Sequence, residues 1–160
     1  FCCFSVYVGG EVGWKGGRGE EGKAWRDVGC GYGTIGLTLA KVYHVDTTMI
    51  DINNRALALA EKNATLNNVA VDIFQSDIYE NVTKKFDYIV SNPPIRAGKA
   101  VFHQVISGAK NHLSENGTLT IVIQKKQGAP SAKAKMEEVF GNCEIIRKDK
   151  GYYILESVNK

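Results

Sequence analysis

From residue 24 onward, short apolar runs alternate with segments of helical spacing. That rhythm restricts the fold more than any other feature. Parallel strands cannot be joined by tight turns, so each pair needs a crossover, and here the crossover reads as a helix. Strands are predicted over 24–28, 46–50, 70–74, 86–90 and 118–123. Helices are predicted over 34–42, where Ile35, Leu37, Leu39 and Ala40 are apolar, and from an Asn53 cap to 67, with Leu57, Ala60, Ala64 and Asn67 spaced by three and four. Two more cover 99–113, stopped by Glu115-Asn116-Gly117, and 131–140, stopped by Gly141. The last two strands, 143–148 and 152–158, are joined by Asp149-Lys150-Gly151, whose Lys-Gly step suits a tight hairpin. The expectation is an α/β, Rossmann-like, doubly wound and mostly parallel sheet, with one antiparallel strand from the closing hairpin.

Bulk properties narrow the class. The 160 residues suffice for one domain with a full core. Residues 1–24 carry many glycines and read as an irregular segment before a domain over 25–160. No apolar run is long enough to span a bilayer, and the N-terminus lacks the pattern of a signal peptide, so a cytoplasmic protein without a membrane partner is expected. Cys2, Cys3, Cys30 and Cys143 match no zinc spacing and read as reduced thiols; no metal is expected. A net charge of +3 is compatible with a polyanionic partner.

Chemistry concentrates where strands end. The run 86–90 stops at Ser91-Asn92-Pro93-Pro94-Ile95. Two prolines remove two donors and fix φ, so Asn92 stands on a stiff support at the lip of a cleft, where open parallel sheets bind ligands. The plain alternative is an Asx-type turn. Asp27-Val28-Gly29-Cys30-Gly31-Tyr32-Gly33 joins the first strand to the first helix. Gly29 and Gly31 allow a tight turn with backbone close to a ligand, and Gly33 allows helix and strand to approach. Asp51 ends the second strand, suited to two ribose hydroxyls or to capping the next helix, and Ile52 follows as a cover for a base. Ser76-Asp77-Ile78 follows the third strand, where a carboxylate suits an adenine amino group or a simple turn.

These four pieces, in this order, resemble the class I S-adenosylmethionine-dependent methyltransferases, and within them the small-domain group that includes 16S ribosomal RNA guanine-N2 methyltransferases. The likeness runs from Asp27 to the C-terminus and includes Asn92 to Lys99 and Gln124 to Ala129. It implies seven strands, the last antiparallel and inserted beside the fifth. It implies S-adenosylmethionine as cofactor, held by Asp27, Gly29, Gly31, Gly33, Asp51, Ile52, Asp77 and Ile78. It places Asn92 and the Pro93 carbonyl on the substrate amino group, with Pro94, Ile95, Arg96 and Lys99 beside the substrate. The family usually has Tyr or Phe where this chain has Ile95, which leaves Phe102 and Tyr79 as candidates to stack on the base. Arg26 stands where relatives carry Leu or Ile, and the segment before it lacks the usual helix.

The expected reaction is transfer of a methyl group to an exocyclic amine, most simply guanine N2 in ribosomal RNA or the small ribosomal subunit. The enzyme would act as a monomer or weak dimer. Lys84, Lys85, Arg96, Lys99, Lys125 and Lys126 are phosphate candidates, whereas Lys133 and Lys135 read as solvated lysines and His103 as structural or phosphate-contacting. Rival readings are a glutamine-amide methyltransferase, an adenine-N6 methyltransferase, and a non-catalytic nucleotide- or RNA-binding module.

Overall fold

The computed structural model describes residues 23–93 and 98–160. The expected irregular segment therefore lies outside the described residues, except for its last two positions. The strands form one seven-stranded sheet in the order β3-β2-β1-β4-β5-β7-β6. By its contacts the chain divides into two compact units, one ending at Asn81 and the other running from Val82 to Lys160.

The first unit contains β1 (Ala24–Val28), α1 (Thr34–Tyr43), β2 (Asp46–Asp51), α2 (Asn54–Leu66) and β3 (Asp72–Gln75). Its strands are all parallel, with Asp27 beside Met49 and Met49 beside Ile73. Leu37, Met49, Leu57, Ala60 and Ala64 close a core between the helices and this part of the sheet, and Val69, Val71 and Ile73 flank it. Asn53 caps α2 as expected, its side chain accepting from the backbone N–H groups of Arg55 and Ala56. Asn67, grouped with the apolar positions by its spacing, is exposed and follows the helix.

The second unit contains β4 (Phe86–Ser91), α3 (Gly98–His112), β5 (Leu113–Gln124), a 3-10 turn (Lys125–Gln127), α4 (Ala129–Phe140), β6 (Glu144–Asp149) and β7 (Tyr152–Val158). Strand β4 runs parallel to β5. Strand β7 lies between β5 and β6 and is antiparallel to both, as the hairpin predicts. The hairpin tip uses two left-handed residues, Lys150 at φ 48° and Gly151 at φ 81°.

Most boundaries shift by one or two residues, and the largest difference is the start of β5, expected at 118 and found at Leu113. Asn116-Gly117, expected to stop a helix, instead lies inside β5, whose pairing with β4 shifts register between Phe86 and Tyr88. Asn116 takes φ 62°, and its N–H donates to the Asn159 carbonyl at 2.7 Å. A Cβ on Gly117 would meet the Ser114 carbonyl oxygen at 2.9 Å and that of Asp87 at 3.0 Å. The glycine signal was therefore for close backbone packing in an irregular strand. Among the described residues, no helix is long and apolar enough to cross a membrane.

Candidate active site

The glycine turn after β1 is held by the end of β2. The N–H groups of Gly29 and Cys30 donate to the Ile50 carbonyl at 3.0 and 2.9 Å. The Gly31 N–H donates to Asp51 Oδ2 at 2.9 Å, and Asp51 Oδ1 accepts from the Asn53 N–H at 2.9 Å. Asp51 thus helps begin α2, the second of the roles that its position suggested, and it also pins the glycine turn. Each oxygen retains a second lone pair for a ligand hydroxyl. Gly29, Gly31 and Gly33 all have positive φ, at 70°, 56° and 96°. A Cβ on Gly33 would strike Met49 Cε at 2.8 Å, whereas one on Gly31 would meet nothing within 4 Å. Gly33 is required for packing, and Gly31 faces open space.

Asp27 is buried at 1% exposure, and its Oδ2 accepts from the Gly36 N–H at 2.9 Å. Its Oδ1 is buried and takes no hydrogen bond among the described residues. Burial pushes the carboxyl up to about 7; the Gly36 N–H opposes this and the Asp51 charge adds to it. Burial also raises the Cys30 thiol, and Asp27 and Asp51 raise it further, so the thiol stays protonated. Cys30 and Cys143 are both free.

Asp77 is exposed in the turn after β3, and its carbonyl accepts from the Glu80 N–H at 3.0 Å. Ile78 sits at φ 54°, a left-handed conformation that costs a residue with a Cβ roughly 1–2 kcal/mol. Buried Ser76 supports the turn: its hydroxyl donates to the Ile78 carbonyl and accepts from the Asn81 N–H, both at 3.3 Å. Ile52 is 61% exposed and Tyr32 is 53% exposed, leaving apolar surface beside the acidic strand ends.

In the second unit, Ile89, Val90 and Ser91 at the end of β4 are buried, and Asn92 is half-buried beyond them. Pro93 is buried, Lys99 is exposed in the first turn of α3, and Pro94, Ile95 and Arg96 lie outside the described residues. Phe102 is not available to stack on a base: it is 7% exposed, in the core, with the His103 ring edge-on at 4.6 Å. Its spacing in α3 turns it inward with Val105, Ile106 and Ala109. Lys133 and Lys135 are ion-paired along α4 with Glu137 and Glu138.

Three residues of the first unit carry more than their sequence context suggested. Asn63, on α2, donates from Nδ2 to the Tyr32 carbonyl at 2.9 Å and ties the glycine turn to that helix. Gly36, within α1, leaves room for Met49 and Asp27; a Cβ there would meet Met49 Cγ at 2.6 Å. A glycine early in a helix is the available signal, because it sacrifices helix propensity. Arg26 is 1% exposed, with its guanidinium 5.4 Å from the centroid of the Phe74 ring. Burial lowers its pKa to about 10, Tyr79 opposing.

The strand order and the glycine turn define a Rossmann-like domain of the S-adenosylmethionine-dependent methyltransferase type. The chain belongs to the methyltransferase small-domain family, whose model matches residues 18–156. It is 50% identical over 135 residues to the uncharacterized protein YbxB of Bacillus subtilis (strain 168), covering 82% of this chain and 67% of that protein. It is 40% identical over 101 residues to ribosomal RNA small subunit methyltransferase C of Aeromonas hydrophila, covering 60% of this chain but only 30% of that protein. The fold is shared with the T. thermophilus 16S rRNA N2 G1207 methyltransferase solved with AdoMet and guanosine, at a TM-score of 0.80 and 24% identity, over 89% of this chain and 39% of that one.

The residues present fit S-adenosylmethionine. The buried, unsatisfied Asp27 Oδ1 suits a cationic donor, and open space at Gly31 admits a ligand against the backbone.

Proposed function

We propose that the chain methylates an exocyclic amino group of a base in RNA, with guanine N2 of ribosomal RNA as the target. The observation that carries this reading is the Asn92-Pro93 step at the carboxyl end of β4. Lys125 and Lys126 follow the carboxyl end of the adjacent parallel strand β5. Likeness to a ribosomal RNA methyltransferase supports the substrate class.

In this reading Asp27, Gly29, Gly31 and Gly33 take the amino-acid end of S-adenosylmethionine. Asp51 accepts from the ribose hydroxyls, Asp77 accepts from the adenine amino group, and Ile52 and Ile78 cover the adenine. When bound, the cofactor supplies a methyl group on a positively charged sulfur. The chain's own task is to prepare the acceptor. An exocyclic amine is a poor nucleophile because its lone pair is delocalised into the ring. Asn92 Oδ1 and the Pro93 carbonyl accept its two N–H groups, favour a more pyramidal nitrogen and aim the lone pair. The rigid proline step keeps both acceptors in place, and the excess proton passes to water. Lys99 and Arg96 hold neighbouring phosphates.

The test is incubation with methyl-labelled S-adenosylmethionine and separate pools of ribosomal subunits, naked ribosomal RNA, transfer RNA, DNA and release factors. Label is expected in a ribosomal RNA pool as N2-methylguanosine, and Asn92→Ala lowers the rate by about 100-fold or more. Label confined to release factors would replace this reading with glutamine-amide methylation, and label in DNA with adenine-N6 chemistry.

A further inference from the structure

We infer that the β6–β7 turn and the 3-10 turn after β5 together form a shoulder that holds the phosphates of a single-stranded RNA segment. This rests on the RNA reading above and names where the second unit grips its substrate. The two segments are joined directly. The Lys125 N–H donates to the Gly151 carbonyl at 2.8 Å. Gln124 pairs in register with Tyr152, and its Nε2 donates to the Tyr152 hydroxyl at 3.0 Å. Lys125 is thereby brought to the turn that carries Lys150, with Lys148 on β6 one strand beyond β7.

Charge is concentrated there. Residues 124–127 and 147–153 contain Lys125, Lys126, Arg147, Lys148 and Lys150, with Asp149 as their single acid. That surplus exceeds the net charge of +3 carried by the whole chain. The four lysines are exposed. Lys148 lies 5.0 Å over the ring of Tyr153, and no carboxylate pairs with these lysines among the described residues, unlike Lys133 and Lys135 on α4. Tyr152 and Tyr153 are half-buried and, as neighbours in β7, point to opposite faces of the sheet, Tyr153 under Lys148 and Tyr152 beside Gln124. These lysines, clustered beside an aromatic ring, suit a single strand, whose phosphates and base faces are both accessible.

The position suits the reaction. Ser91 lies opposite Ile121 on parallel strands, so Asn92 and Lys125 emerge at the same edge. Antiparallel β7 enters at that edge with Tyr152 beside Gln124. Tyr152 is two strands from β4, roughly 10 Å at ordinary strand spacing. A strand held at the shoulder would present a nearby unstacked base to Asn92.

The test is fluorescence anisotropy of the full chain with a labelled, unstructured RNA oligonucleotide across a potassium chloride series. Lys148→Gln/Lys150→Asn keeps a residue that tolerates the left-handed turn position. Losing two phosphate contacts should flatten the log–log salt slope by about 1.4 and weaken binding about tenfold at physiological salt. Lys125→Gln/Lys126→Gln should act alike, whereas Lys133→Gln/Lys135→Gln should match the parent; melting temperatures confirm that each is folded. If the parent binds and methylates RNA but both shoulder variants keep its slope, the shoulder is refuted and the RNA reading stands. If the parent binds S-adenosylmethionine but neither binds nor methylates RNA, the RNA reading itself fails and the shoulder falls with it.

Discussion

Asn63 Nδ2 donates to the Tyr32 carbonyl at 2.9 Å, joining two residues 31 positions apart. The bond fixes the outer end of the glycine turn, while Asp51 fixes its middle through the Gly31 N–H. Asn63→Ala frees the Tyr32 carbonyl and lets the turn wander before a ligand binds. A hydrogen bond of this kind contributes about 1 kcal/mol, so calorimetry should find S-adenosylmethionine binding about fivefold weaker. The methyl-transfer rate at saturating cofactor should hardly change, since Asn63 touches the turn and not the proposed acceptor. A fall in that saturated rate with unchanged affinity would refute the positioning role.

Gly36 is the second packing-critical glycine of the first unit. A Cβ there would meet Met49 Cγ at 2.6 Å, Met49 Sδ at 2.7 Å and Asp27 Oδ2 at 3.1 Å. Helix propensity alone would make Gly36→Ala stabilising by about 1 kcal/mol. Overpacking of a core side chain costs about 1–3 kcal/mol, so crowding should win. The expected fall in melting temperature is about 2–8 °C. A rise would show that Met49 yields without cost.

Elements governed by period and local chemistry could be read from the residues alone. The apolar spacing of α1 and α2 placed Ile35, Leu37, Leu39, Leu57, Ala60 and Ala64 inside, where they lie. Lys150-Gly151 marked a hairpin because its two positive φ angles leave few other choices. What could not be read depends on contacts distant in sequence. The side of α3 that Phe102 faces is set by its neighbours in the core, and no local signal removes it as a stacking candidate. Asn116-Gly117 carries the same turn signal in a helix stop and in an irregular strand; Asn159, 43 positions away, receives the Asn116 N–H. Arg26 looks misplaced in a strand until Phe74, two strands away in the sheet, comes beneath its guanidinium. Of the candidate site, the glycine turn and Asp51 came together as their places at the ends of the first two strands implied, but Asn63 lay hidden among ordinary polar positions of α2.

The Asn53 cap offers a local check on α2. Its Oδ1 accepts from the Arg55 N–H at 2.9 Å and the Ala56 N–H at 3.4 Å. Asn53→Ala should destabilise the protein by about 1 kcal/mol in urea unfolding, and Asn53→Ser should recover most of it. No loss in either would mean that the contact from the Asn53 N–H to Asp51, and not the side-chain cap, starts the helix.

Two carboxyls, buried Asp27 and half-buried Glu156, should make stability fall as pH rises. Burial pushes Asp27 up to about 7, the Gly36 N–H opposing and Asp51 reinforcing. Burial also raises Glu156 to about 6, helped by Glu144, which faces it in register across β6 and β7. Both values lie above the unfolded carboxyl range of about 4. Between the two values the native state holds a proton that the unfolded state has lost, so unfolding becomes easier with rising pH. The contribution is full below about 4 and is lost as pH rises through about 6 for Glu156 and about 7 for Asp27. In urea unfolding across this window, Glu156→Gln should flatten the lower part of the fall. Asp27→Asn should flatten the upper part, where Glu156 has already ionised. If Asp27→Asn leaves that upper fall intact, the buried carboxyl beside Gly36 is not the group that titrates there.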